Sequence, residues 1–186
     1  PADVAAQLRA IMATQRSRFD FNAVLPMPEA LRQSESGTAS KTAWELKNGD
    51  WAEVKWKYGP DRFDSREAAL AAARAADDWR PYVIVQQGDE FPSLMPRSFD
   101  ELADAVQQLI DKYGYPDWYE WAVANWGTKW PASNAGWMSP ARAAKRDAQQ
   151  VAYFDTAWCP PIPVVASLSE RFPETILRLE YCEPDC

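Results

Sequence analysis

The sequence predicts a fold of the α+β class, with an antiparallel sheet and helices packed on one of its faces. Three observations support this: helical apolar periods, short alternating runs rich in β-branched and aromatic residues, and a closing β-α-β pattern. At 186 residues the chain can bury a core without a metal or disulfide framework. We therefore expect one α+β domain over residues 1–186.

The first third of the chain predicts a helix, a short strand and an inserted hairpin. The strand covers residues 19–25 and is stopped by two prolines. Asn48-Gly49 is a strong hairpin signal, and the run after it alternates apolar with charged residues. We expect residues 41–60 to form a β-hairpin inserted into the domain.

The middle of the chain predicts two helices with a strand between them. Asp64 and Glu67 have the spacing of a capping box that opens an alanine-rich helix to about Asp78, and residues 82–86 form the candidate strand. Ser98 and Glu101 have the spacing of a capping box, and the helix they open is expected to end before Gly114.

The last third predicts a short helix over 116–125, a loop over 132–140 and a C-terminal β-α-β unit over 151–182. In that unit a strand over 151–158 leads into a helix over 164–171, and a second strand covers 175–182. With the preceding elements, this order favours a split βαβ, ferredoxin-like sandwich over a doubly wound sheet.

The composition excludes several classes of function. There is no histidine, which removes Ser-His-Asp and Cys-His nucleophile activation and HExxH zinc sites. Twenty basic against 27 acidic residues give a net charge of −7, which argues against general binding to phosphate backbones. Three cysteines without a CxxC pair argue against structural zinc. We expect a cytoplasmic protein with no cofactor and no membrane span.

The densest feature is the aromatic stretch YGYPDWYEWAVANWGTKW at residues 113–130. Five of the ten tryptophans lie between Trp118 and Trp137. Large, rigid, amphipathic indoles are typical of recognition surfaces. They are equally compatible with a core helix that packs its rings on the sheet. The sequence leaves both interpretations open.

Other constellations support weaker alternatives. Asp117 and Glu120 are spaced i, i+3 beside stacking rings, as a sugar-binding protein or glycosidase requires, but acids are also expected in a first helical turn. Aromatic residues mixed with a basic cluster are compatible with single-stranded nucleic acid, although the net charge opposes it. That cluster consists of Lys129, Arg142, Lys145 and Arg146.

A proline-rich loop joins the last predicted strand to the last helix. It reads WCPPIP, and its prolines fix φ and prevent the helix or sheet from continuing. Trp158 is therefore expected to be held in one place. The chain offers no histidine to activate Cys159, which is expected to be an inert thiol.

Four separated motifs resemble a known family. They are FDFNAVLPMPEAL (residues 19–31), the aromatic stretch, FDTAWCPPIPVVASLSERFPE (residues 154–174) and LEYCEP (residues 179–184). In this order they resemble the YubB-like family, uncharacterised proteins of conjugative plasmids, phages and other mobile elements. The resemblance implies a ferredoxin-like C-terminal domain, where the term names a fold and brings no iron-sulfur cluster.

The resemblance also singles out residues at which the family's motifs recur. In the first motif these are Asn22, Pro26 and Pro28. In the second and third they form the expected binding surface, which consists of Trp118, Tyr119, Trp121, Asn125, Trp126, Gly127, Thr128, Lys129, Trp130, Thr156, Trp158, Pro160 and Pro161.

These patterns predict a non-enzymatic accessory protein of a mobile element that binds a macromolecule, most readily a protein. An inhibitor of a DNA-binding defence protein is one form of this hypothesis, because residues 89–120 carry eight acids and two bases. The alternatives are a protein or hydrolase for a sugar-like ligand using Asp117 and Glu120, and a single-stranded nucleic-acid binder.

Overall fold

A computed structural model describes residues 2–13, 19–54, 63–76, 83–85, 93–95, 98–148 and 150–182. The elements in chain order are α1 (Ala2–Met12), α2 (Glu29–Arg32), α3 (Thr38–Asn48), α4 (Arg66–Ala75), β1 (Val83–Val85), β2 (Ser93–Met95), α5 (Phe99–Tyr113), α6 (Trp118–Trp126), β3 (Ser133–Trp137), α7 (Pro140–Ala144), β4 (Ala152–Asp155) and α8 (Ile162–Arg171). The protein is thus rich in helix, and its strands are short.

The chain divides into two compact units. The terminal unit combines Pro1–Met27 with Trp121–Cys186, and the middle unit is Pro28–Glu120. Each unit is described by itself. That residues 1–186 act as a single domain stays a prediction.

The middle unit has a core made by α3, α4 and α5. Alanines fill much of it, so that helix backbones approach one another closely, while a few larger side chains occupy the remaining space. Its buried members are Ala43, Leu46, Ala69, Ala73, Phe99, Leu102 and Ala103. In this unit β1 also pairs with β2 in an antiparallel ladder that aligns Val83 with Met95.

Helix α5 begins and ends as its local signals predict. The Ser98 hydroxyl accepts a hydrogen bond from the backbone N–H of Glu101, whose carboxylate accepts one from Ser98 N–H at 2.9 Å. At the other end Gly114 adopts a left-handed φ of 79°. The capping box and the glycine cap are both confirmed.

The expected hairpin over 41–60 is wrong in its first strand, because α3 runs through that segment. Ala43 and Leu46 are spaced as on one helical face and are buried in the helical core. Gly49 ends this helix, and its N–H donates to the carbonyl of Glu45 at 3.0 Å. Residues 51–53 then form a 3-10 turn, and residues 55–60 lie outside the described residues.

The terminal unit has an aromatic core. Phe19 stacks on Phe154 at 5.2 Å between ring centroids and lies 5.3 Å from Trp137. Phe21 makes edge contacts with Phe154 at 6.0 Å and with Trp126 at 6.1 Å. Such offset and edge arrangements are those that aromatic quadrupoles favour.

The strand expected over 19–25 is wrong, since Phe21–Ala23 form a 3-10 turn. The Asp20 carboxylate accepts from the N–H of Asn22 at 2.9 Å, and Asn22 Oδ1 accepts from the N–H of Met27 at 3.1 Å. These side chains satisfy backbone groups that a sheet would otherwise pair, so the segment coils while both phenylalanines stay buried.

Strands β3 and β4 form an antiparallel pair, with an irregularity between Ser133 and Gly136. The loop expected over 132–140 is therefore wrong for residues 133–137. Gly136 aligns with Tyr153, whose ring lies so close that a Cβ at position 136 would be 2.4 Å from its hydroxyl. A glycine-containing run forms a strand here because its partner supplies the large side chains.

The C-terminal β-α-β unit is present in part. β4 lies inside the first predicted strand, and α8 buries Val164 and Leu168. Residues 175–182 pair with no strand among the described residues, so the second predicted strand, and with it the complete split βαβ sheet, is not formed there.

No helix in the described ranges is both long and apolar enough to cross a membrane.

Candidate binding surface

Four of the expected surface residues are buried in the protein, namely Trp121, Trp126, Thr128 and Pro161. Trp121 and Trp126 are buried and meet edge to face at 5.4 Å between centroids. Trp126 Nε1 donates to the carbonyl of Leu25 at 2.9 Å, which satisfies its polar atom. Asn125 Nδ2 likewise donates back to the carbonyl of Trp121 at 2.9 Å. This part of the aromatic stretch is structural.

The chain leaves α6 through Gly127, which has a left-handed φ of 78°. A Cβ at this position would lie 2.9 Å from Pro163 Cδ and 3.1 Å from the carbonyl oxygen of Pro160. Glycine is required here on both counts, conformation and space. The end of α6 is therefore seated directly against the proline-rich loop.

Thr128 fastens this contact from inside the protein. It is one of the most deeply buried side chains, and its Oγ1 donates to the carbonyl of Ala157 at 2.9 Å. That same carbonyl accepts the N–H of Cys159 at 2.9 Å. A three-residue turn results, with Trp158 at its centre.

Trp158 has a φ of 68°, in the left-handed region that bulky residues avoid. A hydrogen bond from residue 159 to residue 157 around a centre of positive φ defines the rare, strained form of γ-turn. Thr156 Oγ1 donates to the carbonyl of Cys159 at 2.8 Å and so braces the far side of the turn. Two threonine hydroxyls hold the turn at its two ends.

A second tight turn follows. Pro161 is fully buried with φ −82° and ψ 61°, and the N–H of Ile162 donates to the carbonyl of Pro160 at 2.9 Å. These values are those of the relaxed, inverse γ-turn. The loop then enters α8, so both of its ends are anchored in regular structure.

The side chains that this scaffold presents outward are apolar and aromatic around one cation. Trp158 is 72% exposed, Trp130 47% and Ile162 58%. The Lys129 ammonium lies 4.2 Å from the ring centroid of Trp130 and 5.1 Å from that of Trp158, within cation–π range of both. We call Lys129, Trp130, Trp158 and Ile162 the indole surface.

Trp118 and Tyr119, which complete the expected set, belong to the middle unit. Their rings meet edge to face at 6.0 Å, and both are half-buried. The N–H of Trp118 donates to the Ser34 hydroxyl at 2.9 Å, which anchors the first turn of α6.

The Asp117 and Glu120 carboxylates have separate structural tasks in that unit. Asp117 Oδ1 accepts from the N–H of Glu120 at 2.9 Å and so caps α6. Burial raises the pKa of the Asp117 carboxyl above its ordinary value, although the backbone hydrogen bond from Glu120 opposes this. Glu120 is exposed and lies 3.4 Å from Lys41.

The cysteines and the basic cluster do not form a site among the residues that the structure describes. Cys159 and Cys182 are exposed free thiols. Arg146, from the basic cluster, pairs with Glu180 at 3.1 Å, while Arg142 and Lys145 are exposed. Within the described part of the chain no cluster of three or more Cys, Asp or Glu residues could hold a metal ion.

The sequence did not single out Ile162, which is exposed at the first position of α8, or the carbonyl of Ala157 as the shared acceptor. Pro161 and Pro163 on either side of Ile162 are typical of a first helical turn, so the sequence contained a signal for its position but not for its exposure. The shared acceptor depends on Thr128, 29 residues away, and no local pattern reports it.

Comparison with known families assigns the region that carries this surface. Residues 125–186 match the model of the ferredoxin-like domain in Api92-like proteins. The match includes Gly127, Thr128, the whole proline-rich loop and the indole surface. No curated protein and no solved structure matches the chain. The C-terminal part of the protein is accordingly a ferredoxin-like domain.

Proposed function

We propose that the ferredoxin-like region is a non-enzymatic module that binds a partner protein through the indole surface. The observation that supports this most is Trp158, an exposed indole held in a strained turn by buried and proline-fixed neighbours. A left-handed conformation costs a non-glycine residue about 1–2 kcal/mol. Since an exposed ring gains little from folding, the strain is best explained by a contact made with something else.

The chemistry of the surface favours a protein over other partners. Tryptophan is enriched among the residues that dominate protein interfaces, and a rigid pair of indoles loses little conformational entropy on binding. Ile162 adds aliphatic area beside them. One lysine already engaged with two rings provides little attraction for a phosphate chain, and the net charge of −7 opposes one.

We further propose the setting that the YubB-like resemblance implies: a cytoplasmic accessory protein of a plasmid, phage or other mobile element. Inhibition of a DNA-binding defence protein is one role compatible with the acidic balance of residues 89–120. The family match supports the ferredoxin-like region of this proposal and carries no information on the partner.

The binding proposal is tested with two variants of the surface and a matched control. Trp158→Ala and Trp130→Ala each remove one exposed ring that contacts Lys129. Tyr113→Ala removes the ring of another lysine–aromatic pair, formed with Lys112 at 5.1 Å in the middle unit. Partners captured by the unaltered protein from host lysate are identified, purified and titrated calorimetrically against each variant.

We expect each tryptophan variant to bind the purified partner with an affinity at least about 30-fold lower, as substitutions at interface hot spots do. Tyr113→Ala should leave this affinity unchanged. Equal effects of all three variants, or none, would contradict the proposal. The nucleic-acid alternative predicts salt-sensitive binding of a single-stranded oligonucleotide, lost on Lys129→Ala. The sugar alternative predicts binding of a saccharide that is lost on Asp117→Asn with the fold intact.

A further inference from the structure

Residues 175–180, which follow α8, alternate between half-buried and exposed, as an extended strand does, and residues 181 and 182 are exposed. Thr175, Leu177 and Leu179 are half-buried, while the residues between them are exposed, Ile176 to 97%. A period of two is that of an extended chain with one face on a core. We call residues 175–182 the C-terminal segment.

The backbone of this segment is open for pairing. The N–H of Thr175 still donates to the carbonyl of Phe172 at 2.9 Å, but residues 176–182 make no backbone hydrogen bond to any part of the chain that the structure describes. An extended edge with unpaired N–H and C=O groups is a template for a further strand.

We propose that this edge pairs with the same segment of a second copy of the chain. The two segments run antiparallel, with Leu179 opposite Leu179 on a two-fold axis. Such an interface is isologous, because each contact occurs twice with the roles exchanged. The charges of the C-terminal segment are the reason for choosing a second copy as the pairing partner.

Arg178 and Glu180 make the segment complementary to itself. Their side chains are exposed on the same face, with Arg178 Nε 3.1 Å from a Glu180 carboxylate oxygen within one chain. With Leu179 on the axis, each Arg178 lies opposite Glu180 of the second copy. A shift of the axis by one residue in either direction places two arginines or two glutamates opposite each other, which is unfavourable.

The same register pairs the remaining side chains sensibly. Leu177 lies opposite Tyr181, which is 69% exposed, and Ile176 lies opposite Cys182. Aliphatic–aromatic pairs across strands are stabilising. One strand pair is nevertheless a small interface, so association is expected to be weak and to depend on protein concentration.

Disulfide trapping tests the register directly. In a chain with Cys159→Ser and Cys186→Ser, the substitution Ile176→Cys places a thiol opposite Cys182 of the second copy. Positions 176 and 182 of one extended segment are about 20 Å apart and cannot bond to each other. We expect a covalent dimer under mild oxidation at about 1 mM protein, a concentration suited to weak interfaces.

Two controls define the outcome. Ile176→Cys combined with Cys182→Ser, and Cys182 without the new cysteine, should both stay monomeric under the same oxidation, because neither position faces itself. A failure of Ile176→Cys to cross-link, while Cys182 reacts freely with a thiol reagent, would overturn the proposal. Equal cross-linking in the controls would overturn the register.

Charge exchange provides an independent test by sedimentation. Arg146 also contacts Glu180, so the variants are compared in an Arg146→Ala background. Arg178→Glu and Glu180→Arg should each weaken self-association at least about tenfold, and the double exchange should restore it. Because the double exchange also restores the pair within one chain, an equimolar mixture of the two single variants is the decisive sample. It should associate more strongly than either variant alone, because each chain then faces the opposite charge while its internal pair stays broken.

Hydrogen exchange distinguishes a second copy from another occupant. Alternate amides within residues 177–181, those whose N–H groups point to the second copy, should exchange fast in dilute protein and slowly in concentrated protein. Protection that is the same at all concentrations would assign the edge to another segment of the same chain and overturn the proposal. Absence of protection at every concentration would overturn it as well.

Discussion

The cores of the two units of this protein are packed with different types of residue. In the middle unit, helices approach closely over alanines such as Ala43 and Ala69. In the terminal unit, rings of Phe19, Phe21 and Trp126 fill the core and touch in offset or edge geometry. Small residues specify how near two helices come, whereas large rings specify how a turn, a sheet and a helix are oriented.

The glycines sharpen this contrast. Gly114 and Gly127 each follow a helix with a φ close to 80°. Nothing lies within 4 Å of a Cβ built on Gly114, whereas one on Gly127 meets Pro163 and Pro160. The same left-handed glycine conformation thus only ends a helix in the middle unit. In the terminal unit it also allows close packing against the proline-rich loop beside the indole surface.

The largest expected effect comes from breaking the aromatic core. Phe21→Ala should lower the free energy of unfolding by about 3–5 kcal/mol, because it removes a fully buried ring and leaves a cavity. Denaturant unfolding monitored by tryptophan fluorescence measures it. Phe21→Leu, which fills part of the cavity, should recover some of the loss. A loss of less than about 1 kcal/mol for Phe21→Ala would contradict the role assigned to the rings.

The glycine comparison predicts unequal costs for the same substitution. Gly114→Ala should cost about 1 kcal/mol, from the left-handed conformation only. Gly127→Ala should cost about 2 kcal/mol or more, because the added methyl also collides with the proline-rich loop. Thermal or denaturant unfolding of both variants checks this. Equal costs would mean that the loop yields without resistance.

The strained turn predicts a variant that is more stable but binds less well. Trp158→Gly should raise the free energy of unfolding by up to about 1 kcal/mol, because glycine adopts positive φ without strain. Trp158→Ala keeps the strain and should leave stability nearly unchanged. Both should lose partner binding if the indole is the contact. A less stable Trp158→Gly protein would show that the exposed ring supports the fold.

The smallest expected effect lies in an ion cluster of the middle unit. Hydrogen bonds from Arg74 and Lys47 lower the pKa of Asp100 to about 2. A depressed carboxyl pKa stabilises the folded state above about pH 4, and this contribution is lost as the pH falls from about 4 to 2. Because Asp100 is substantially exposed, we expect about 0.5 kcal/mol.

This contribution is measured by comparing the free energy of unfolding of the unaltered protein with that of Asp100→Asn at pH 6 and at pH 2.5. The variant should be less stable at pH 6, and the difference should fall to less than half of this value at pH 2.5. High salt should shrink the difference at pH 6 as well, since exposed ion pairs are screened. A difference that is the same at both pH values would assign the effect to packing.

Local signals predicted both ends of α5 but predicted strand pairing poorly. The cap predicted at Asp64 is wrong, because the Ser65 hydroxyl caps α4 by accepting from the N–H of Ala68 at 3.2 Å. The capping box of Ser98 and Glu101 and the glycine cap at Gly114 depend on atoms a few residues apart, and both are present. Asn48-Gly49 is equally local, yet it ends a helix here, because Ala43 and Leu46 gain more by packing in a helical core than by pairing in a hairpin.

The sequence indicated where the indole surface lies along the chain but not which residues form it. The density of tryptophans pointed to residues 113–130, and the prolines pointed to the loop at 158–163. Which indoles are exposed could not be read from spacing, because α6 is aromatic around most of its circumference. Trp126 is buried by its contact with Phe21, and Trp158 is held outward by a hydrogen bond from Thr128.

The sequence by itself determined the α+β character, the lack of imidazole chemistry and the caps of α5, since each depends on composition or on neighbouring residues. Only the tertiary structure decided which tryptophans serve the core, that Thr128 holds the turn of Trp158, and that residues 175–182 present an open edge. These outcomes depend on groups tens of residues apart, and short-range patterns carry no information about such contacts.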